Sequence, residues 1–261
     1  MAGPTDGLDP GAVALHRRGE GPPLVLLHCL GVDHRLWEIG AAGLERDFTL
    51  LSYDFPGHGE TALPARPYSI EDLSGQLASL LEREGIARAH LAGISLGGLV
   101  AQHFAATRPE RVDRLMLIDT TPRYTDEMRR MWAVRAAQAR EAGVASLLPG
   151  LLPIWFTPEF VAGDPPAVRY VRERFAAGSG EGYALACEAL AAADLRPLAP
   201  RIEAPTLVVC GREDVPPFLA AADWLVQTIP GARPLWLAPA RHASVLERPQ
   251  QALRLMRDFL R

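Results

Sequence analysis

Gly93, Ile94, Ser95, Leu96 and Gly97 place a serine between two glycines, G-x-S-x-G, after the apolar run His90, Leu91, Ala92. The residues that follow, Gly98 to Gln102, have the pattern of a helix's first turns. A serine on a tight strand-to-helix turn is presented as a nucleophile, and glycine tolerates the backbone that such a turn imposes on its neighbours. A serine hydroxyl reacts poorly near neutral pH without a base to take its proton, and that base needs a group to fix its tautomer. His242 supplies an imidazole in the last third of the chain, and Glu213 and Asp214 supply adjacent carboxylates before it. Serine, carboxylate and histidine are therefore present at three separated places.

For these side chains to meet, the fold must bring three distant segments to one edge. Apolar runs at 24–27, 48–53, 89–92, 115–118, 206–210 and 234–237 read as strands. Helices are predicted at 33–46, 70–85, 96–107, 217–227 and 249–260. Leu73, Leu77, Leu80 and Leu81 repeat at helical spacing and close on Gly85, while Pro109 stops the helix after the serine. This alternation predicts an α/β fold, a mostly parallel central sheet with helices on both faces. Ser95, the 213–214 pair and His242 each follow a strand, at the carboxyl edge where open α/β sheets bind ligands.

Between 120 and 196 the strand pattern lapses. Helical stretches at 128–141 and 183–193 are separated by Pro149, Pro153, Pro158, Pro165 and Pro166, read as joints between pieces. The expectation is a core of 1–119 and 197–261 with a helical cap, 120–196, inserted over the strand ends to shape an acyl pocket and exclude water. Trp132 and Trp155 are candidate substrate contacts, with Tyr124, Phe156 and Phe160 as further aromatics that either line the pocket or pack the cap. Arg123, Arg129, Arg130, Arg135 and Arg140 form either a solvated helix face or a clamp for a substrate carboxylate.

An acyl-transfer intermediate needs two N–H donors for its oxyanion. Leu96 offers one at a helix N-terminus, and Cys29 offers the other from the loop His28, Cys29, Leu30, Gly31 after the first strong strand. His28 and His58 are expected to brace loops, and His103 to pack. Among His28, His34, His58 and His103 no pair has metal-ligand spacing on a shared face, so no metal is expected.

The segments His28 to Gly31, Asp54 to Thr61, Gly93 to Gly97, Gly211 to Asp214 and His242 to Pro249 together resemble the α/β-hydrolase superfamily, over 13–120 and 196–261. The resemblance implies Ser95 as nucleophile, Asp214 rather than Glu213 as acid, and His242 as base. Within the superfamily the chain is similar to 3-oxoadipate enol-lactonases, on the segments 28–37, 93–102 and 108–112. That likeness implies a cofactor-independent serine hydrolase cleaving a carboxylic ester or lactone through an acyl-enzyme. A C–C bond hydrolase of vinylogous diketones and a hydrolase-derived ligand-binding receptor are the alternatives. Cys29 stands where the family has Gly or Ser, Arg241 where it has Gly, and the segment after Asp214 is shorter than usual.

Bulk properties narrow the partners. The chain has 261 residues, 48% hydrophobic and 22% charged, enough for a core domain with an insertion. A net charge of −4 argues against a nucleic-acid partner. No apolar run reaches membrane-spanning length, and the first residues lack the basic-then-apolar pattern of a secretory leader. Cys29, Cys187 and Cys210 are odd in number and far apart, which argues against a disulfide framework and favours a reducing, cytoplasmic setting. A small-molecule ester or lactone is the expected partner; oligomeric state is left open.

Overall fold

The computed structural model describes residue 8 and residues 13–261; the Pro- and Gly-rich first residues, expected to fray, fall otherwise outside it. Seven strands form one sheet: β1 (Leu15–Arg18), β2 (Pro23–Leu27), β3 (Thr49–Tyr53), β4 (Ala89–Ile94), β5 (Val112–Ile118), β6 (Thr206–Gly211) and β7 (Arg233–Leu237). Their order is β1-β3-β2-β4-β5-β6-β7, with β1 antiparallel to β3 and every other pairing parallel. β3, β4 and β6 are buried along their whole length, as strands covered on both faces must be, which explains their largely apolar composition. Leu15–Arg18 carries two arginines and, among the described residues, pairs only with β3, so it lacked the apolar signal that revealed the others.

The flanking helices are α1 (Leu36–Gly40), α2 (Ile70–Arg83), α3 (Leu96–Thr107), α9 (Pro216–Thr228), α10 (Ser244–Glu247) and α11 (Pro249–Leu260). α2 begins in a reciprocal cap: the Asp72 N–H donates to Ser69 Oγ at 3.1 Å and the Ser69 N–H donates to Asp72 Oδ2 at 2.8 Å. The helix predicted at 33–46 is broken. α1 stops at Gly40, and Gly43 takes φ 102° before a short 3-10 turn at Leu44–Arg46, a left-handed backbone that ends helical continuation.

Between β5 and β6 the chain forms α4 (Asp126–Ala142), α5 (Leu148–Trp155), α6 (Pro158–Ala162), α7 (Pro166–Ala177) and α8 (Gly180–Ala192), with α4 packed along α8. Two of these were expected and three were not. The prolines read as joints instead open helices: Pro149, Pro158 and Pro166 occupy first-turn positions, where the missing N–H costs nothing, while Pro153 lies inside α5. No helix among the described residues is long and apolar enough to cross a membrane.

The sheet places the functional edge. Chain order runs outward from β2 toward β3 on one side and toward β4 on the other, so the loops after β2 and β4 diverge and leave a crevice between them. The register pairs Leu27 with Gly93, Ile94 with Ile118, and Gly211 with Leu237. The strand ends are therefore nearly level, and the residues that follow them open onto one surface.

Candidate active site

Ser95 lies between β4 and α3 with φ 51° and ψ −110°, a left-handed backbone that a non-glycine residue holds only when its surroundings enforce it. Its N–H donates to Ile118 O at 2.9 Å, and its carbonyl accepts from Thr120 Oγ1 at 2.8 Å. The flanking glycines are required by space. A Cβ at Gly93 would strike the Gly97 carbonyl, and one at Gly97 would strike the Leu27 carbonyl.

The Ser95 hydroxyl lies 3.2 Å from His242 Nε2, and His242 Nδ1 lies 2.9 Å from Asp214 Oδ2. Asp214 precedes α9, and its Oδ1 accepts the Val215 N–H at 2.7 Å. With Nδ1–H donating to the carboxylate, Nε2 is left to accept from the serine. Ser95, Asp214 and His242 are 6%, 4% and 7% exposed, so they are reached only from the adjoining cavity. Burial alone would lower the His242 pKa; the Asp214 charge and hydrogen bond, with a further contribution from Asp119, outweigh it and raise it. The Phe218 ring lies 4.2 Å from that of His242, tilted by 50°. Glu213, the rival carboxylate, is exposed on the turn.

Leu96 is the first residue of α3, where an N–H has no partner within the helix. Cys29 follows β2 on the neighbouring strand end. His28 fixes this loop: its Nδ1–H donates to Cys29 O at 2.8 Å, while its Nε2 accepts the Phe55 N–H at 2.9 Å. Burial lowers the His28 pKa, consistent with that neutral tautomer. Burial pushes the Cys29 thiol up, so the side chain supplies no thiolate and the residue's chemistry rests in its backbone. His58 braces its own loop, Nδ1–H to Pro56 O at 3.2 Å, and burial with His28 nearby drives its pKa down to about 4. His103 is buried on α3.

A cavity of about 360 Å³ opens above Ser95 and His242. Its apolar wall includes Met128, Met131, Trp132, Leu151, Trp155 and Phe218. Trp132 and Trp155 thus reach the cavity; Tyr124 and Phe156 are fully buried and Phe160 packs on Phe156, none of them lining it. Of the five arginines, only Arg135 lines the cavity, its guanidinium 5.0 Å over the Trp132 ring. Arg123 pairs with Asp126 at 2.8 Å, Arg140 with Glu181 and Glu188 at 2.7 Å each, Arg129 donates to Ala193 O, and Arg130 is exposed. The other four lie off the cavity lining, held by ion pairs, by a backbone carbonyl or in solvent.

Arg241 bridges toward the inserted helices: its N–H donates to Glu247 Oε2 at 3.0 Å and its guanidinium donates to Pro153 O. Glu247 Oε1 accepts the Thr157 N–H at 3.1 Å, and the Ala243 N–H donates to Trp155 O at 3.0 Å. Sequence reading missed Phe218, Glu247 and Asp119; Asp119 alone had a signal, a charged residue directly after a strand.

Two groups among the described residues bring possible metal ligands within 4.8 Å, His16 with His34 and Asp54, and Asp119 with Cys210 and Asp214. In the first, the imidazoles stack 3.5 Å apart at 12°, so their lone pairs do not converge, and Asp54 already accepts the His34 and Glu60 N–H groups. In the second, the carboxylates accept N–H donors and burial keeps the Cys210 thiol protonated.

The profile of the alpha/beta hydrolase family matches residues 24–254. The 3-oxoadipate enol-lactonase 2 of Acinetobacter baylyi is 34% identical, over 89% of this chain and 86% of that protein. The pimeloyl-[acyl-carrier protein] methyl ester esterase of Chromobacterium violaceum is 33% identical, over 93% of this chain and 95% of that protein. The crystal structure of the enol-lactonase from Burkholderia xenovorans LB400 superposes with a TM-score of 0.90 at 37% identity, covering 95% of this chain and 96% of that one.

Proposed function

The chain belongs to the alpha/beta hydrolase family and is a hydrolase of carboxylic esters or lactones; we propose that it works through a Ser95–His242–Asp214 triad on a small substrate carrying a carboxylate. The observation that supports the triad is the unbroken hydrogen-bonded line from Ser95 Oγ through His242 to Asp214 at the floor of the cavity. Ser95 Oγ attacks the substrate carbonyl as its proton passes to His242 Nε2. The Cys29 and Leu96 N–H groups receive the oxyanion, and Asp214 holds the imidazolium. His242 then gives the proton to the departing oxygen, which in a lactone stays tethered to the acyl group. Water attacks the acyl-serine, its proton goes to His242, and the acid leaves as the serine recovers its proton.

The carboxylate preference rests on Arg135, whose guanidinium lines the cavity beside the Trp132 ring, and on the enol-lactonase relatives. Trp132 and Trp155 would hold the acyl chain. Residues 1–119 and 197–261 would form the core and 120–196 the cap, whose helices supply most of the cavity wall. Three unbridged thiols support a reducing, cytoplasmic compartment.

The test is a substrate panel of an enol-lactone acid, its uncharged methyl ester and simple p-nitrophenyl esters. Ser95→Ala should lower kcat on every substrate by several orders of magnitude; near-full turnover overturns the mechanism. Arg135→Ala should raise KM for the acid about tenfold or more while sparing the neutral esters. Equal effects on both remove the clamp and leave the hydrolase reading standing.

A further inference from the structure

Asp119 directly follows β5 and holds φ 45°, a left-handed backbone unusual for a side chain with a Cβ. Its carboxylate is fully buried. Oδ1 accepts the Gly211 N–H at 3.0 Å; Oδ2 accepts the Ser244 N–H at 2.9 Å and the Ser244 hydroxyl at 2.7 Å. Its own N–H donates to Val209 O at 2.9 Å. Gly211 lies three residues before Asp214, and Ser244 two residues after His242. One carboxylate therefore joins the end of β5 to both loops that carry the proposed acid and base. Its three partners are all donors, the set that an ionised carboxylate, which only accepts, satisfies fully.

We propose that Asp119 is a positioning residue for the reaction: it fastens the Asp214 and His242 loops together, and its negative charge joins that of Asp214 in favouring the imidazolium form of His242. The proposal rests on the triad reading above.

The groups facing Asp119 are Asp214, His242 and the Cys29 and Cys210 thiols, and those facing His242 are Asp214, Asp119 and Arg135. Both thiols are held protonated by burial, so Arg135 is the cation opposing the two carboxylates at the imidazole. Burial first, then Asp214, pushes the Asp119 carboxyl up to about 7, while His242 and the Ser244 donors pull it back. Protonation of His242 therefore favours ionisation of Asp119. A serine hydrolase needs its histidine neutral to begin, so the rate falls on the acid side as His242 takes up a proton. Removing a negative neighbour lowers the His242 pKa and moves that limb to lower pH.

The experiment is the pH profile of kcat/KM for Asp119→Asn, with Ser244→Ala and Ser95→Ala alongside. Asparagine keeps the shape but turns an amide N–H2 toward a donor and removes the charge. The expected result for Asp119→Asn is a kcat lowered roughly 10²-fold, the scale of a catalytic group displaced by about 1 Å. KM should be nearly unchanged and the acid limb should move to lower pH. Ser244→Ala removes one donor but retains the charge, so it should lower kcat by a smaller factor and leave the limb in place. Wild-type kcat in Asp119→Asn overturns the proposal, and so does a reduced kcat with an unmoved limb, the mark of a packing residue. If Asp119→Asn does not fold, an unchanged kcat in Ser244→Ala overturns it. Ser95→Ala separates the two readings: activity there defeats the triad, whereas an inactive Ser95→Ala beside a wild-type Asp119→Asn defeats only the role of Asp119.

Discussion

His242 sits between an oriented carboxylate and a serine hydroxyl, and its titration governs the proposed chemistry. Its pKa is raised above 6.5 because the Asp214 and Asp119 charges outweigh burial. A general base works when neutral, so kcat/KM should fall as pH drops through that raised value and plateau above it, measurable on a non-ionising ester. Asp214→Asn should lower kcat on the order of 10⁴-fold, because the amide no longer fixes the Nδ1–H tautomer that leaves Nε2 free for Ser95. A loss below tenfold would remove Asp214 from the machinery. Cys29, by contrast, contributes its backbone: its thiol is buried and protonated, so exchanging it for serine tests only the shape of the loop.

The elements earn their placement from local chemistry that acts at their ends. Pro109 and Gly85 set the limits of α3 and α2, and prolines at first-turn positions open α5, α6 and α7. The start of α2 rests on the exposed Ser69–Asp72 reciprocal cap. Ser69→Ala should lower stability by about 1 kcal/mol, read as a lower Tm with kcat unchanged, since the cap is remote from the cavity. An unchanged Tm would show that packing of Leu73, Leu77 and Leu81 alone sets the helix start. The same reasoning explains the break in the helix expected at 33–46, where Gly43 imposes a backbone that no helix continues.

On the scale of the whole molecule, the inserted helices are fastened to the His242 loop. Glu247, buried at 2% exposure, accepts from the Arg241 and Thr157 N–H groups and the Thr157 hydroxyl, and so joins the turn between α5 and α6 to the loop that carries His242. Glu247→Gln turns an amide N–H2 toward one of these donors. It should cost about 1–3 kcal/mol of stability and raise KM more than it lowers kcat, because α5 forms part of the cavity wall. A lower Tm with unchanged kinetics would separate the fastening from the pocket. The strand and helix alternation, the strained serine turn and the order serine, carboxylate, histidine were all legible in the sequence, because each rests on local periodicity or on residue types that tolerate special backbone. What the sequence left undecided depends on distance in space. Glu213 and Asp214 are neighbours in the chain, and only the turn into α9 puts one on the imidazole and the other in solvent. Five arginines looked alike until α4 packed against α8 and left Arg135 facing the cavity. Asp119 stands visibly after a strand, but its role stayed hidden because its partners, Gly211 and Ser244, are 92 and 125 residues away; the contact is one that only the sheet creates.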